Sequence, residues 1–312
     1  MQTIIGSGGS IGIDLAKSLM MYTNDIRLVN RNPIKINDTD SLFPADVTNP
    51  LQLDEAIEGS EICYVTVGFD YSTKVWQEKW VPFISNTINS CVKHNCKLVL
   101  FDNVYAIGGN NVIRITEDSQ ISPSSKKGDV RAEVDLLILN KVKEGNLNAI
   151  IARAPDFFGP IKKQNSLLMN LVYDNLIKGK SAQWFVNADV VHTMGFTPDL
   201  AKGTALLGNT PEAYNQIWNL PVDMNSLTGR EWVELFANEL NVKNKVFVLP
   251  IWGLKLLGIF VPILKEMAEM MYQFDRPFNF DCTKFIDKFE FKPTSNKEAV
   301  RLTIDSLKSI GV

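Results

Sequence analysis

Apolar residues recur along the first half of the chain in two alternating patterns. Short runs rich in Ile, Val and Leu, too brief for helices, occupy residues 3–5, 26–30, 42–45, 62–67, 97–101 and 148–153. Between them lie longer amphipathic stretches at 10–21, 51–58, 74–94 and 129–143, the last with Val130, Val134, Leu137 and Ile138 on one helical face. Strands that alternate with helices predict right-handed crossovers and a parallel sheet covered on both faces. After Arg153 the rhythm is lost. Residues 154–160 read as a turn, and helices expected at 166–178, 198–207, 229–239 and 296–309 are separated by irregular segments. The pattern divides the chain into a sheet domain over 1–153 and a smaller region over 154–312, with segments at about 190–220 returning to the first domain.

One apolar run, 246–264, approaches the roughly 20 residues of a membrane span. Lys255 near its middle and the breaks at Pro250 and Pro262 argue against stable insertion, so the expectation is a core or pocket helix. Trp252 and residues 266–272 would line the same pocket; contact with a membrane surface is the alternative. Met267, Met270 and Met271 read as core.

Charge and cysteine usage narrow the class of partner. The 312 residues carry 32 Lys and Arg against 35 Asp and Glu, a net charge of −3, which argues against broad nucleic-acid binding. Cys63, Cys91, Cys96 and Cys282 include no CxxC pair, and the two histidines are His94 and His192. That set offers no closed metal site and no disulfide framework. Without a basic segment and long apolar run at its start, the sequence suggests a cytoplasmic protein, with a small molecule as partner and a homodimer left open.

The most informative motif follows the first expected strand. Gly6-Ser7-Gly8-Gly9-Ser10-Ile11-Gly12 has glycines at G-x-x-G-x-x-G spacing, with Gly8 in addition. Between a strand and a helix, such a loop turns tightly and brings backbone N–H groups to a pyrophosphate at the helix N-terminus. The second strand ends Asn30-Arg31, without the carboxylate that accepts from an NAD ribose. The Arg31 guanidinium suits a 2′-phosphate instead, so NADP(H) is expected over NAD(H), unless Arg31 is only a solvated loop residue. Asp46 and Val47 after the third strand would border the adenine, or Asp46 would cap a helix.

These residues resemble the extended short-chain dehydrogenases/reductases, in particular the NAD-dependent epimerase/dehydratase family. The resemblance covers essentially the whole chain: residues 6–12, Asp46-Val47, Val67-Gly68, 101–108 (FDNVYAIG), 153–160 (RAPDFFGP) and 192–201. It implies an α/β fold of the Rossmann type, a doubly wound parallel sheet, with a smaller C-terminal substrate-binding region. Catalysis in the family uses a Ser or Thr at a strand end and a Tyr-x-x-x-Lys. Here Asp102 or Asn103 falls at the first position, and Lys127 and Arg131 replace Tyr and Lys. Tyr105 is the candidate substitute acid, Lys127 a general acid or anion anchor, Asn103 a carbonyl polariser, and Arg131 a holder of ribose, phosphate or carboxylate. For Lys127 and Arg131 an exposed helix face is the alternative. Phe157, Phe158, Trp184, His192 and Met194 are expected to line the substrate pocket, with His192 as a base or a hydrogen-bonded structural residue. The reading is an NADP(H)-binding oxidoreductase for a small carbonyl or alcohol; the alternatives are a nucleotide-sugar epimerase/dehydratase and a non-catalytic NAD(P)-sensing protein.

Overall fold

Ile4, Ile5, Leu28, Leu98, Val99 and Ile150 are withdrawn entirely from solvent, as expected for strands covered by helices on both faces. A computed structural model describes residues 1–160 and 166–309. Residues 161–165 and 310–312, part of the expected C-terminal region, lie outside the described residues. In chain order the elements begin with β1 (Gln2–Ile5), α1 (Ser10–Leu19), β2 (Ile26–Asn30), β3 (Ser41–Pro44), α2 (Pro50–Ile57), β4 (Ile62–Val65), α3 (Thr73–Lys93) and β5 (Lys97–Asp102). They continue with α4 (Lys126–Lys143), β6 (Ala149–Arg153), β7 (Phe157–Phe158), α5 (Asp174–Leu176), β8 (Ala182–Phe185), β9 (Gly195–Phe196) and α6 (Thr197–Gly208). The remainder comprises β10 (Gln216–Asn219), α7 (Gly229–Leu240), β11 (Val246–Leu249), α8 (Ile251–Leu257), α9 (Pro262–Met267), α10 (Thr283–Phe289) and α11 (Asn296–Ser309).

The chain forms two compact units. The first contains Met1–Ala106, Lys126–Ala154 and Leu200–Leu220. Its sheet has seven parallel strands in the order β10-β6-β5-β4-β1-β2-β3, with Ile4 opposite Leu28 on one side and Tyr64 on the other. This is a Rossmann-type α/β sheet. The order reverses between β1 and β4, and in open sheets the crevice at such a reversal, beyond the strand C-termini, is where ligands bind. Strand β10 is absent from the set expected from sequence. Its Gln216 and Asn219 dilute the apolar signal, and parallel pairing with β6 supplies what periodicity does not show.

The second unit contains Ile107–Ser125, Pro155–Asp199 and Pro221–Val312. It has two small parallel sheets, β8 with β11 and β7 with β9, around a core that includes Phe158, Trp184, Trp232 and Phe236. The single core or pocket helix expected over 246–264 does not form. Residues Val246–Leu249 pair with β8, Pro250 caps α8, and Pro262 opens α9. Leu254 reaches the core, whereas Trp252 is 69% exposed and so does not line a pocket. No helix among the described residues is long and apolar enough to cross a membrane.

Candidate cofactor loop and proton-transfer site

β1 passes directly into Gly6, whose φ is 95°, in the left-handed region that glycine tolerates without strain. A Cβ there would also lie 2.8 Å from Thr66 C and Val67 N. The turn is closed by Gly9 N–H donating to Gly6 O at 3.1 Å, and Gly6 N–H donates to Val29 O at 2.9 Å. Gly9 is then the N-cap of α1, with no side-chain capping bond and no acidic residue in the first helical turn. Gly12 lies against the loop so closely that a Cβ would sit 2.7 Å from Gly6 O and 2.8 Å from Ser7 Cα. An uncapped helix N-terminus behind exposed Gly8 and Gly9 fits an anionic pyrophosphate through N–H groups and helix dipole.

The ends of the neighbouring strands frame this loop. Asn30 donates from Nδ2 to Ser7 Oγ at 2.9 Å and accepts from Asn32 N–H at 2.7 Å, so its amide braces the turn. Arg31 follows it and is exposed. Asp46 accepts from the Thr48 hydroxyl at 2.7 Å and from its N–H at 3.0 Å. Those two bonds, assisted by Arg31 and Lys79, hold its carboxyl below the usual range against a small desolvation effect. Val47 and Val67 pack on the sheet core from partly buried positions. Gly68 is exposed, and a Cβ there would meet nothing within 4 Å, so the protein's own packing does not demand glycine.

At the C-terminal end of β5, Asn103 Oδ1 accepts from Tyr105 N–H at 2.9 Å, turning the chain so that the Tyr105 ring stacks on Trp76 at 5.9 Å. The Tyr105 hydroxyl is 3.3 Å from the Tyr71 hydroxyl, and either can donate. Lys127 is fully buried; its Nζ donates to Thr73 Oγ1 at 3.0 Å and lies 4.7 Å from the centre of the Tyr71 ring. This brings together an ammonium, an aromatic ring and the three hydroxyls of Thr73, Tyr71 and Tyr105. Tyr71 supplies the ring and one hydroxyl and Thr73 another, yet neither belongs to a sequence motif, since only the fold brings the segment leading into α3 to the start of α4.

Arg131 has a different setting. It is buried, its Nη2 donates to Asp102 Oδ1, and its guanidinium lies 4.1 Å from the Trp80 ring centre. Neither Lys127 nor Arg131 lies on an exposed face, so that alternative is corrected for both. Nearby, Arg153 Nη2 donates to Asp135 Oδ2 at 2.8 Å, and both side chains are fully buried. Burial pushes the Asp102 carboxyl well up; Arg131 opposes this, Asp135 adds to it, and Arg153 opposes it more weakly. The pairing gives Arg131 an internal role as counter-ion.

A model of the NAD-dependent epimerase/dehydratase family matches residues 3–220, more than half of the chain. The chain belongs to that family. Among solved structures, this family member resembles a dTDP-glucose 4,6-dehydratase from Bacillus anthracis in complex with NAD. Identity is 16% and the TM-score 0.80, over 99% of this chain and 97% of that one. It resembles UDP-glucose 4-epimerase from Thermus thermophilus in complex with NAD at 15% identity and TM-score 0.75, over 100% of both chains. A monomeric L-threonine 3-dehydrogenase of metagenomic origin gives 16% identity and TM-score 0.79, again over 100% of both chains. These likenesses show the fold. No curated protein matches the chain in sequence.

The expected substrate-pocket residues of this epimerase/dehydratase family member fare differently from the loop. Phe158, Trp184 and Met194 belong to the apolar core of the second unit, which corrects their assignment as lining. Trp184 is so enclosed that a Cβ at Gly229 would come within 2.4 Å of it. His192 is buried between Phe274 and Phe278, at 4.4 and 4.5 Å between ring centres, and its Nε2 is 2.9 Å from Asp156 Oδ2. That sandwich fixes the imidazole as part of the scaffold. Phe157 alone of the five is half-buried.

Proposed function

We propose that this protein is an NADP(H)-binding oxidoreductase acting on a small carbonyl or alcohol, with Tyr105 as the proton donor. The observation that carries the reading is the Gly6–Gly12 loop, where glycine is required at Gly6 and Gly12 and the helix N-terminus lacks a side-chain cap. A bound nicotinamide dinucleotide would supply or accept the hydride. Residues 6–12 hold its pyrophosphate, Val67 and Gly68 border it, and Val47 with Asp46 flanks the adenine. The exposed guanidinium of Arg31 takes the 2′-phosphate, because the Asn30 amide is already engaged with Ser7 and Asn32. On this reading residues 1–153 carry the dinucleotide and 154–312 mainly serve the substrate.

The half-buried Tyr105 hydroxyl gives its proton to the substrate oxygen, the Tyr71 hydroxyl at 3.3 Å restores it, and the half-buried Tyr71 recovers a proton from solvent; in the oxidative direction the proton runs the other way. The Lys127 ammonium over the Tyr71 ring offsets negative charge that develops there as the proton moves. Asn103 positions Tyr105 through its backbone, and Arg131 with Asp102 holds α4 on β5.

The test is cofactor oxidation with a panel of aldehydes, ketones and enones, comparing wild type with Tyr105→Phe and Tyr71→Phe. Loss of a general acid predicts turnover lower by about 100-fold or more in Tyr105→Phe, with NADPH affinity retained. Unaltered turnover in that variant would remove Tyr105 from the reaction. The family and the two nucleotide-sugar enzymes it resembles favour a second reading, epimerisation or dehydration of a nucleotide sugar. UDP- or dTDP-sugars would then be converted without net cofactor consumption. Tight NADPH binding with no turnover on either panel would instead favour a non-catalytic sensor.

A further inference from the structure

The segment after α7 turns an apolar face outward. In α8, Leu254 and Gly253 are buried against the second unit's core, while Trp252, Lys255 and Leu256 are exposed. Ile259 continues that face one turn on, giving outward residues at i, i+3, i+4 and i+7. Phe260, at the tip between α8 and α9, is 79% exposed, and Ile263 and Phe247 extend the patch on α9 and β11. The tip is built rather than frayed: Gly258 N–H donates to Leu254 O, Phe260 and Val261 N–H donate to Leu257 O, and a Cβ at Gly258 would lie 3.0 Å from Lys265 N. Contiguous exposed apolar surface of this kind marks an interaction site.

Charge identifies the partner. Residues 240–265 contain Lys243, Lys245, Lys255 and Lys265 and no Asp or Glu, in a chain whose net charge is −3. All four lysines are exposed. Ala182 N–H donates to Lys245 O, which sets the start of β11 beside the start of β8, just after the exposed Lys178 and Lys180. An exposed aromatic and aliphatic segment in a stretch, residues 240–265, whose charged residues are all Lys matches an anionic bilayer surface, where Trp sits among headgroups and Lys reaches lipid phosphate. We propose that residues 247–263 dock this protein peripherally on an anionic membrane surface, with Trp252 and Phe260 inserted and the lysines on the headgroups.

The experiment is co-sedimentation of the full-length protein with vesicles of phosphatidylcholine alone, or with about one third phosphatidylglycerol. Wild type is expected to pellet with the anionic vesicles, to stay in solution with the neutral ones, and to be released by high salt. Trp252→Ser/Phe260→Ser is expected to weaken partition by about tenfold or more, and Lys243→Gln/Lys245→Gln by about tenfold. These positions are exposed, so thermal melting should match wild type. Absence of pelleting, equal pelleting with both vesicles, or pelleting that survives Trp252→Ser/Phe260→Ser overturns the proposal. So does a dimer in analytical ultracentrifugation that Trp252→Ser/Phe260→Ser dissolves while wild type ignores vesicles, since the patch then belongs to a second copy.

Discussion

Arg131 and Asp102 face each other with at most 1% of either side chain exposed, and Arg153 and Asp135 repeat the arrangement alongside. Removing Arg131 leaves the Asp102 carboxyl either charged and unsolvated or forced to take up a proton, at a cost of about 3–5 kcal/mol. Arg131→Met is therefore expected to lower unfolding free energy by about that amount in urea titrations, and Asp102→Asn/Arg131→Met to recover most of it. The pH dependence follows from the raised Asp102 carboxyl, whose first cause is burial. A folded-state value above the unfolded one means that the folded state holds the extra proton, so stability falls as pH rises from about 4 toward the folded value. Arg131 opposes that rise. Its removal should make the deficit larger at about pH 8 than at about pH 5, and a deficit independent of pH would show that Asp102 does not titrate in this way.

At the scale of elements, α7 has the most complete local specification. Thr228 Oγ1 accepts from Glu231 N–H, and the Glu231 carboxylate accepts from Thr228 N–H at 2.7 Å and from its hydroxyl at 2.8 Å. Those two bonds hold the Glu231 carboxyl below its usual range. Its contribution is present above about pH 4.3 and is lost as pH falls through the lowered value. Thr228→Ala should cost about 1 kcal/mol at neutral pH, with the deficit shrinking in acid, as read by chemical denaturation. Unlike this helix, the segment 246–264 misleads the eye. Its apolar residues share a composition with core but not a direction, and Pro250 and Gly258 divide it before a core helix can form. Strand β10 shows the reverse, since Ile217 and Trp218 sit among polar neighbours and only pairing with β6 makes them a strand.

For the whole molecule, most of the sheet and the loop were legible because both are local in sequence: the central strands carry short apolar runs such as Ile62–Val65 in β4, and Gly6 and Gly12 are needed within one turn. The departure from Tyr-x-x-x-Lys is equally plain in sequence, but its consequence is not. Lys127 meets Tyr71 and Thr73 from 54 or more residues away, and Arg131 meets Asp102 from 29. The aromatic and acidic partners that define these two basic residues come from distant segments: Tyr71 from the loop after β4, Trp80 from α3 and Asp102 from β5. What remains distributed over the fold is the choice of cofactor, where Arg31 stands exposed just after β2 and Asp46 lies within its electrostatic reach after β3. Asp46 is largely engaged with Thr48, and on the proposed reading Arg31 is the group that meets a 2′-phosphate.

Cofactor binding at the Gly6–Gly12 loop is tested by calorimetric titration of the purified protein with NADPH and NADH, run beside Gly12→Ala and Arg31→Ala. One NADPH site per chain is expected, with weaker NADH binding. Gly12→Ala should lose affinity for both by about tenfold or more, because its Cβ would strike Gly6 O, and Arg31→Ala should lose affinity for NADPH alone. No binding of either dinucleotide, or binding that Gly12→Ala leaves intact, would contradict it.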